Sequence, residues 1–145
     1  MEHWHIGILT PSIEKSLDLL CGMPDTQREG WTTNEIEFLA SDMIVGDGGR
    51  LRIAMGRIGG IVYELIQPID DCSYHAKAMN LRGPGIHHSA YFCDDNHQND
   101  IVKNLKAGGG RVVWEAKHKE EHVYYIELHD GTIWEIINCC PFMPD

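Results

Sequence analysis

No stretch of this chain stays apolar for the roughly 20 residues that a membrane-spanning helix requires. The N-terminus shows neither the basic nor the apolar segment of a secretion signal. The expectation is a cytoplasmic protein without a membrane partner. Positive charge is scarce: 12 Lys and Arg stand against 22 Asp and Glu, a net charge of -10 with histidines neutral. Nucleic acids and anionic membrane surfaces need basic patches, so both are excluded as partners. A small anionic substrate is not, because it needs only local positive charge or a metal. No Gly-rich phosphate-binding fingerprint is present, which argues against hydride transfer from a nicotinamide or flavin. The five cysteines are odd in number and have the spacing of neither a zinc knuckle nor a thioredoxin-like motif. They are expected to be reduced thiols that mostly pack, with a redox pair at Cys139-Cys140 as the alternative.

What is present has internal order. The 145 residues suffice for one domain with its own core. Gly85-Ile86-His87-His88-Ser89-Ala90-Tyr91-Phe92 reads as a strand between Gly83-Pro84 and Asp94-Asp95. Strict alternation puts His88, Ala90 and Phe92 on one face and His87, Ser89 and Tyr91 on the other. One histidine of the pair would then look into a cavity while its neighbour looks away. The segment from His5 to Ser12 has the same form: a histidine, apolar or small residues, then helix-capping chemistry. A second pair is Val62-Tyr63-Glu64-Leu65-Ile66 and Ile133-Trp134-Glu135-Ile136-Ile137, each an apolar strand with one carboxylate inside it. The chain thus reads as one unit used twice.

Taken in order, a strand at Trp4–Leu9 leads to Thr10-Pro11 and a helix over about 11–21. Strands are expected at Ile36–Met43, Leu51–Met55 and Ile61–Ile66, the second with Arg52 inside it. A connector with helix near Tyr74–Met79 precedes the His88 strand and a helix from Asp94 or Asp95 to Gly108. Strands at Arg111–Trp114, Val123–Leu128 and Thr132–Ile137 follow, with a hairpin at His129-Asp130-Gly131. The fold expected is α+β: two βαβββ modules, about 1–70 and 83–140, closing a cup-shaped mixed sheet with the helices outside. Ile6, Ile8, Leu65, Trp134 and Ile136 would pack beneath the helices. His5, Glu64, His88 and Glu135 would face the cup, where an unpaired buried carboxylate is very costly.

His5-Ile6-Gly7-Ile8, Glu64-Leu65-Ile66-Gln67-Pro68, Gly85-Ile86-His87-His88 with Asp94-Asp95, and the last strand with Glu135 together resemble the vicinal oxygen chelate superfamily, which includes glyoxalase I, bleomycin resistance proteins and dioxygenases. The Gly-Ile-His-His and Glu-Leu-Ile-Gln-Pro segments look most like its methylmalonyl-CoA epimerase branch. The resemblance implies that His5, Glu64, His88 and Glu135 bind one divalent metal ion, that the chain is an enzyme, and that it forms a homodimer. In the epimerases a further glutamate on the third strand is thought to act as base. Here Arg52 stands near that place, with Glu37 on a neighbouring strand as a fallback.

The ligand set suits Zn, Co, Ni or Mn without choosing among them. The activity expected is epimerisation or isomerisation of an acyl-CoA or a small keto or hydroxy acid. Glu64 and Glu135 would move the proton next to a carbonyl, on carboxylates tuned toward neutral pH, while Arg52, pointing into the cup, would anchor an anionic substrate group. A lactoylglutathione lyase of the glyoxalase I type and a non-catalytic binding or resistance protein are the alternatives. His87 is expected to be a hydrogen-bonded structural histidine, and His3 an exposed one on the same face as His5.

Overall fold

The computed structural model describes residues 1–139 and 144. The chain runs β1 (Glu2–Leu9), α1 (Ile13–Leu20), β2 (Thr32–Phe38), β3 (Met43–Val45), β4 (Gly49–Ile58), β5 (Ile61–Pro68), α2 (Tyr74–Arg82), β6 (Gly85–Phe92), α3 (Asp95–Ala107), β7 (Arg111–His118), β8 (Glu121–Glu127) and β9 (Ile133–Ile137). The first helix starts later than the expected Thr10-Pro11 cap, at Ile13 with Ser12 as its cap, while the third begins at the expected Asp94-Asp95. The side chains of Ser12, Ser73 and Asp94 each accept a bond from a backbone N–H of the first turn.

All nine strands form one mixed sheet in the order β2-β4-β5-β1-β6-β9-β8-β7-β3. Its halves match. In each, the histidine strand pairs in parallel with the glutamate strand, β1 with β5 and β6 with β9. Gly7 lies opposite Glu64, and Ala90 lies opposite Glu135. Each glutamate thus faces the position two residues after its module's histidine. The halves join where β1 and β6 run antiparallel, and the sheet curls into a half-barrel, as the α+β expectation requires.

The two faces bury different cores. Outside, Ile8 and Leu65 pack with Ile13 and Leu17 of α1, while Ile136 and Ile126 pack with Val102 of α3. Ile6 and Trp134 share that face but line a groove beside Gly83–Ile86, where Trp134 stacks on Tyr91. On the concave face Trp114, Tyr125, Val123 and Ile137 form the core of the second half, and Leu51, Ile66 and Leu9 that of the first.

Three expectations are corrected here. The strand anticipated at Ile36–Met43 lies earlier, at Thr32–Phe38. The chain then turns through Ala40–Asp42, where the Asp42 carboxylate accepts the backbone N–H of Leu39, and β3 crosses to pair with β7 of the other half. Alternation along β4 puts Leu51 and Ile53 in the cup, so Arg52 lies on the opposite face. There its guanidinium pairs with Glu14 of α1 at 3.2 Å. Glu37 is likewise turned from the cup, because Ile36 and Phe38 occupy the inward positions of β2. Cys140 lies outside the described residues.

Candidate metal centre

His5, Glu64, His88 and Glu135 come from the four central strands, β1, β5, β6 and β9, and all four are buried. One ligand atom from each lies within 4.8 Å of every other. His5 Nε2 stands 3.1 Å from His88 Nε2, 3.4 Å from Glu64 Oε1 and 3.6 Å from Glu135 Oε2. His88 Nε2 stands 2.9 Å from Glu135 Oε2 and 3.9 Å from Glu64 Oε1.

These spacings fit a single ion. Bonds of about 2.1 Å separate neighbouring ligand atoms by about 3.0 Å at right angles and about 3.4 Å in a tetrahedron. Protons serve the arrangement less well. Two ring nitrogens at 3.1 Å cannot both direct an N–H at the carboxylates without facing each other. One cation satisfies all four lone pairs, and imidazole with carboxylate is a donor set that borderline divalent ions accept.

Two β-bulges deliver the histidines. On β1, Trp4 and His5 together oppose Ala90, and on β6, His87 is the extra residue facing the turn from Gly7 to Ile8. A bulge places consecutive side chains on one side of the sheet and re-aims them. The separation of His87 from His88 expected from alternation is therefore overturned. His87 Nδ1 sits 2.9 Å from His88 Nδ1, and His87 Nε2 sits 2.9 Å from the Tyr74 hydroxyl of α2. With a metal on His88 Nε2, Nδ1–H would donate to His87, which would fix the tautomer in the way metal-binding histidines commonly require. The other bulge seats the Trp4 ring against His5, 4.4 Å between centroids, and sends His3 to the opposite face beside Tyr91. His3 and His5 therefore do not share a face.

The pocket floor is uncharged. His75 Nε2 lies 2.9 Å from the Tyr125 hydroxyl. Burial, reinforced by His88, lowers His75 to about 3, and burial, then Glu135 and Glu64, raises Tyr125 well above 10. His87 is hydrogen-bonded as expected, but nothing in the sequence points to Tyr74 as its partner or to the His75–Tyr125 pair. Nothing short of tertiary packing brings α2 to the ends of β6 and β8.

The four central groups are coupled. Burial opposes a charge on His5, yet Glu64 and Glu135 outweigh it and raise the imidazole from 6.5 to about 10. Burial also pushes Glu135 up, but hydrogen bonds from His5 and His88 hold it well below the ordinary carboxylate range. This is opposite to the upward tuning expected of a base. Protonated His5 therefore stabilises the metal-free fold fully below pH 6.5, and this stability is lost as the pH rises toward 10. A metal must displace that proton, so its affinity should rise over the same interval. Thermal melts with and without bound metal should show a gap that widens from pH 6.5 to 10. A constant gap would contradict the assignment.

A curled sheet of two equivalent halves, with two histidines and two glutamates meeting on its central strands, defines a domain that could hold one metal ion at its axis. Residues 4–126 match the model of the Glyoxalase/Bleomycin resistance protein/Dioxygenase superfamily, and the chain belongs to that superfamily. No curated protein matches the sequence at a significant level. Among solved structures it is similar to a hypothetical protein from Bacillus halodurans, with 23% identity over 99% of this chain and 98% of that one and a TM-score of 0.66. It is similar to methylmalonyl-CoA epimerase from Mycobacterium tuberculosis, with 19% identity over 97% of this chain and 89% of that one and a TM-score of 0.60. A third similar structure is a Streptomyces coelicolor methylmalonyl-CoA epimerase variant in complex with 2-nitronate-propionyl-CoA, with 18% identity over 97% and 99% and a TM-score of 0.64. At these identities the likeness speaks for the fold alone. Among the described residues no helix is long and apolar enough to cross a membrane.

Proposed function

We propose that this protein is a divalent-metal-dependent isomerase, of the epimerase kind, that moves a proton on the carbon next to a carbonyl. The observation that carries the reading is the convergence of Glu64 and Glu135, from equivalent places in the two halves, on one point with His5 and His88. His5, Glu64, His88 and Glu135 would hold the ion, with zinc, cobalt, nickel or manganese all compatible. When bound, such an ion supplies Lewis-acid stabilisation of negative charge developing on a carbonyl oxygen.

The chain's own groups do the rest. Glu64 and Glu135 reach the centre from opposite halves of the sheet, so one takes the α-proton and the other returns it. His5 Nε2 and His88 Nε2 stay unprotonated as ligands, His88 being held by its bond to His87. The apolar walls of the cup exclude water and so strengthen every electrostatic contact within it. The solved epimerases support the reading, since one is in complex with methylmalonyl-CoA. The same reading takes the working form to be a homodimer acting on an acyl-CoA or a small keto or hydroxy acid.

Candidate acyl-CoA esters and 2-keto or 2-hydroxy acids should be incubated in D₂O with metal-loaded protein and followed by NMR. A substrate is expected to take up deuterium at its α-carbon, and chelator is expected to stop the uptake. Conversion that consumes O₂, or that persists in chelator, would defeat the proposal.

A further inference from the structure

The cup beside the four ligands has a definite chemical character. Two adjoining lobes of about 160 Å³ and 270 Å³ both border Glu64, and the smaller also reaches Glu135. The smaller lobe is walled by Phe38, Leu51, Ile66, Trp114, Val123 and Tyr125. Trp4, Ile36, Ile53 and Ile137 border both lobes. Among the described residues, the charged side chains on these walls are Glu64, Glu135 and, toward solvent, Glu121. No Lys or Arg is among the described lining residues, and Cys140 to Asp145 contains neither. Arg52 is committed to Glu14 on the other face.

We infer that the part of the substrate seated in this cup is a small uncharged aliphatic or aromatic group, next to the pair of oxygens that meets the four ligands. The inference rests on the metal-centre reading above. A divalent ion held there would balance Glu64 and Glu135, which leaves Glu121 as the net charge among the described lining residues. A substrate arm ending in a carboxylate would give up its water for a hydrocarbon wall and meet this like charge, with no protein cation to offset either loss. A hydrocarbon arm gains from the same wall in proportion to the apolar area it buries. The smaller lobe equals about five water volumes, room for a branched alkyl group or one ring. His75 and Tyr125, both neutral, close it without adding charge.

Hydroxamates test this, because they present two neighbouring oxygens on heads that are alike. Binding of acetohydroxamate, 4-methylpentanohydroxamate and the monohydroxamate of succinate should be measured by calorimetry on protein loaded with one equivalent of zinc. The last two differ only in an isopropyl group against a carboxylate of similar shape. The isopropyl compound is expected to bind about thirtyfold more tightly than acetohydroxamate, and the carboxylate compound no more tightly than acetohydroxamate. Glu121→Gln, at an exposed position, should improve the carboxylate compound severalfold and leave the isopropyl compound unchanged. Ile53→Lys should reverse the order of the two. If acetohydroxamate fails to bind the loaded protein, the metal-centre reading falls and takes this inference with it. If acetohydroxamate binds but the carboxylate compound equals or exceeds the isopropyl compound, only the inference about the cup is overturned.

Discussion

Replacing Glu135 by glutamine is expected to reduce α-proton exchange by about three orders of magnitude, the scale on which positioned acid–base groups act. Glutamine keeps the volume of the side chain and removes its charge. In the native site that carboxylate lies 2.9 Å from His88 and 3.6 Å from His5, and in the proposed mechanism it would serve both as ligand and as one of the two proton-transfer groups. Its loss should also weaken metal binding, since one anionic ligand of two is gone. Rates should be compared at saturating metal to separate the two effects. Glu64→Gln should behave in the same way if the halves are equivalent in function as in register. A variant that exchanges at the native rate would leave the proton-transfer role of Glu135 without support.

The second large effect is expected at a position that carries no side chain at all. A methyl group added at Gly7 would lie 2.1 Å from His88 Cε1 and 2.4 Å from Nε2. The ring has little room to retreat, because Tyr125 stands behind it with centroids 4.9 Å apart. Gly7→Ala should therefore push His88 off the centre. The expected cost is about 1–3 kcal/mol of stability, as in overpacked cores, and metal affinity should fall by at least about tenfold, since ligand misplacement even through an outer partner costs 10- to 100-fold. Gly60→Ala, where an added methyl meets nothing within 4 Å, is the control and should change neither. Equilibrium unfolding and metal titration measure both quantities. Native affinity in Gly7→Ala would show that His88 does not need its place over β1.

Much of this was legible in the sequence because the chain states it twice. The His5 and His88 strands align with each other, as do the Glu64 and Glu135 strands, so the repeat alone singles out the four central residues. Period-two alternation then placed Glu64, His88 and Glu135 inward, and Ile8, Leu65 and Ile136 beneath helices. The bulges at Trp4-His5 and His87-His88 were not legible, since nothing in the residue types marks an extra residue in a ladder. That one omission explains both the misplaced face of His87 and the misplaced face of His3. Arg52 failed for a different reason. A resemblance put it near a catalytic position, while the inward register of β4 belongs to Leu51 and Ile53, and Glu14 offers the guanidinium a partner outside. The strand at Thr32–Phe38 begins before its apolar residues do, because its first four residues, Thr32-Thr33-Asn34-Glu35, are polar. It holds as an edge strand that carries polar groups on an exposed face and pairs along its whole length with β4.

The central claim is that His5, Glu64, His88 and Glu135 hold one divalent ion. Elemental analysis of protein purified without chelator, set beside His88→Ala prepared in the same way, tests it most directly. The account predicts close to one equivalent of metal per chain in the native protein and a large loss in the variant. Metal at background in the native protein, or equal content in the two, would contradict it.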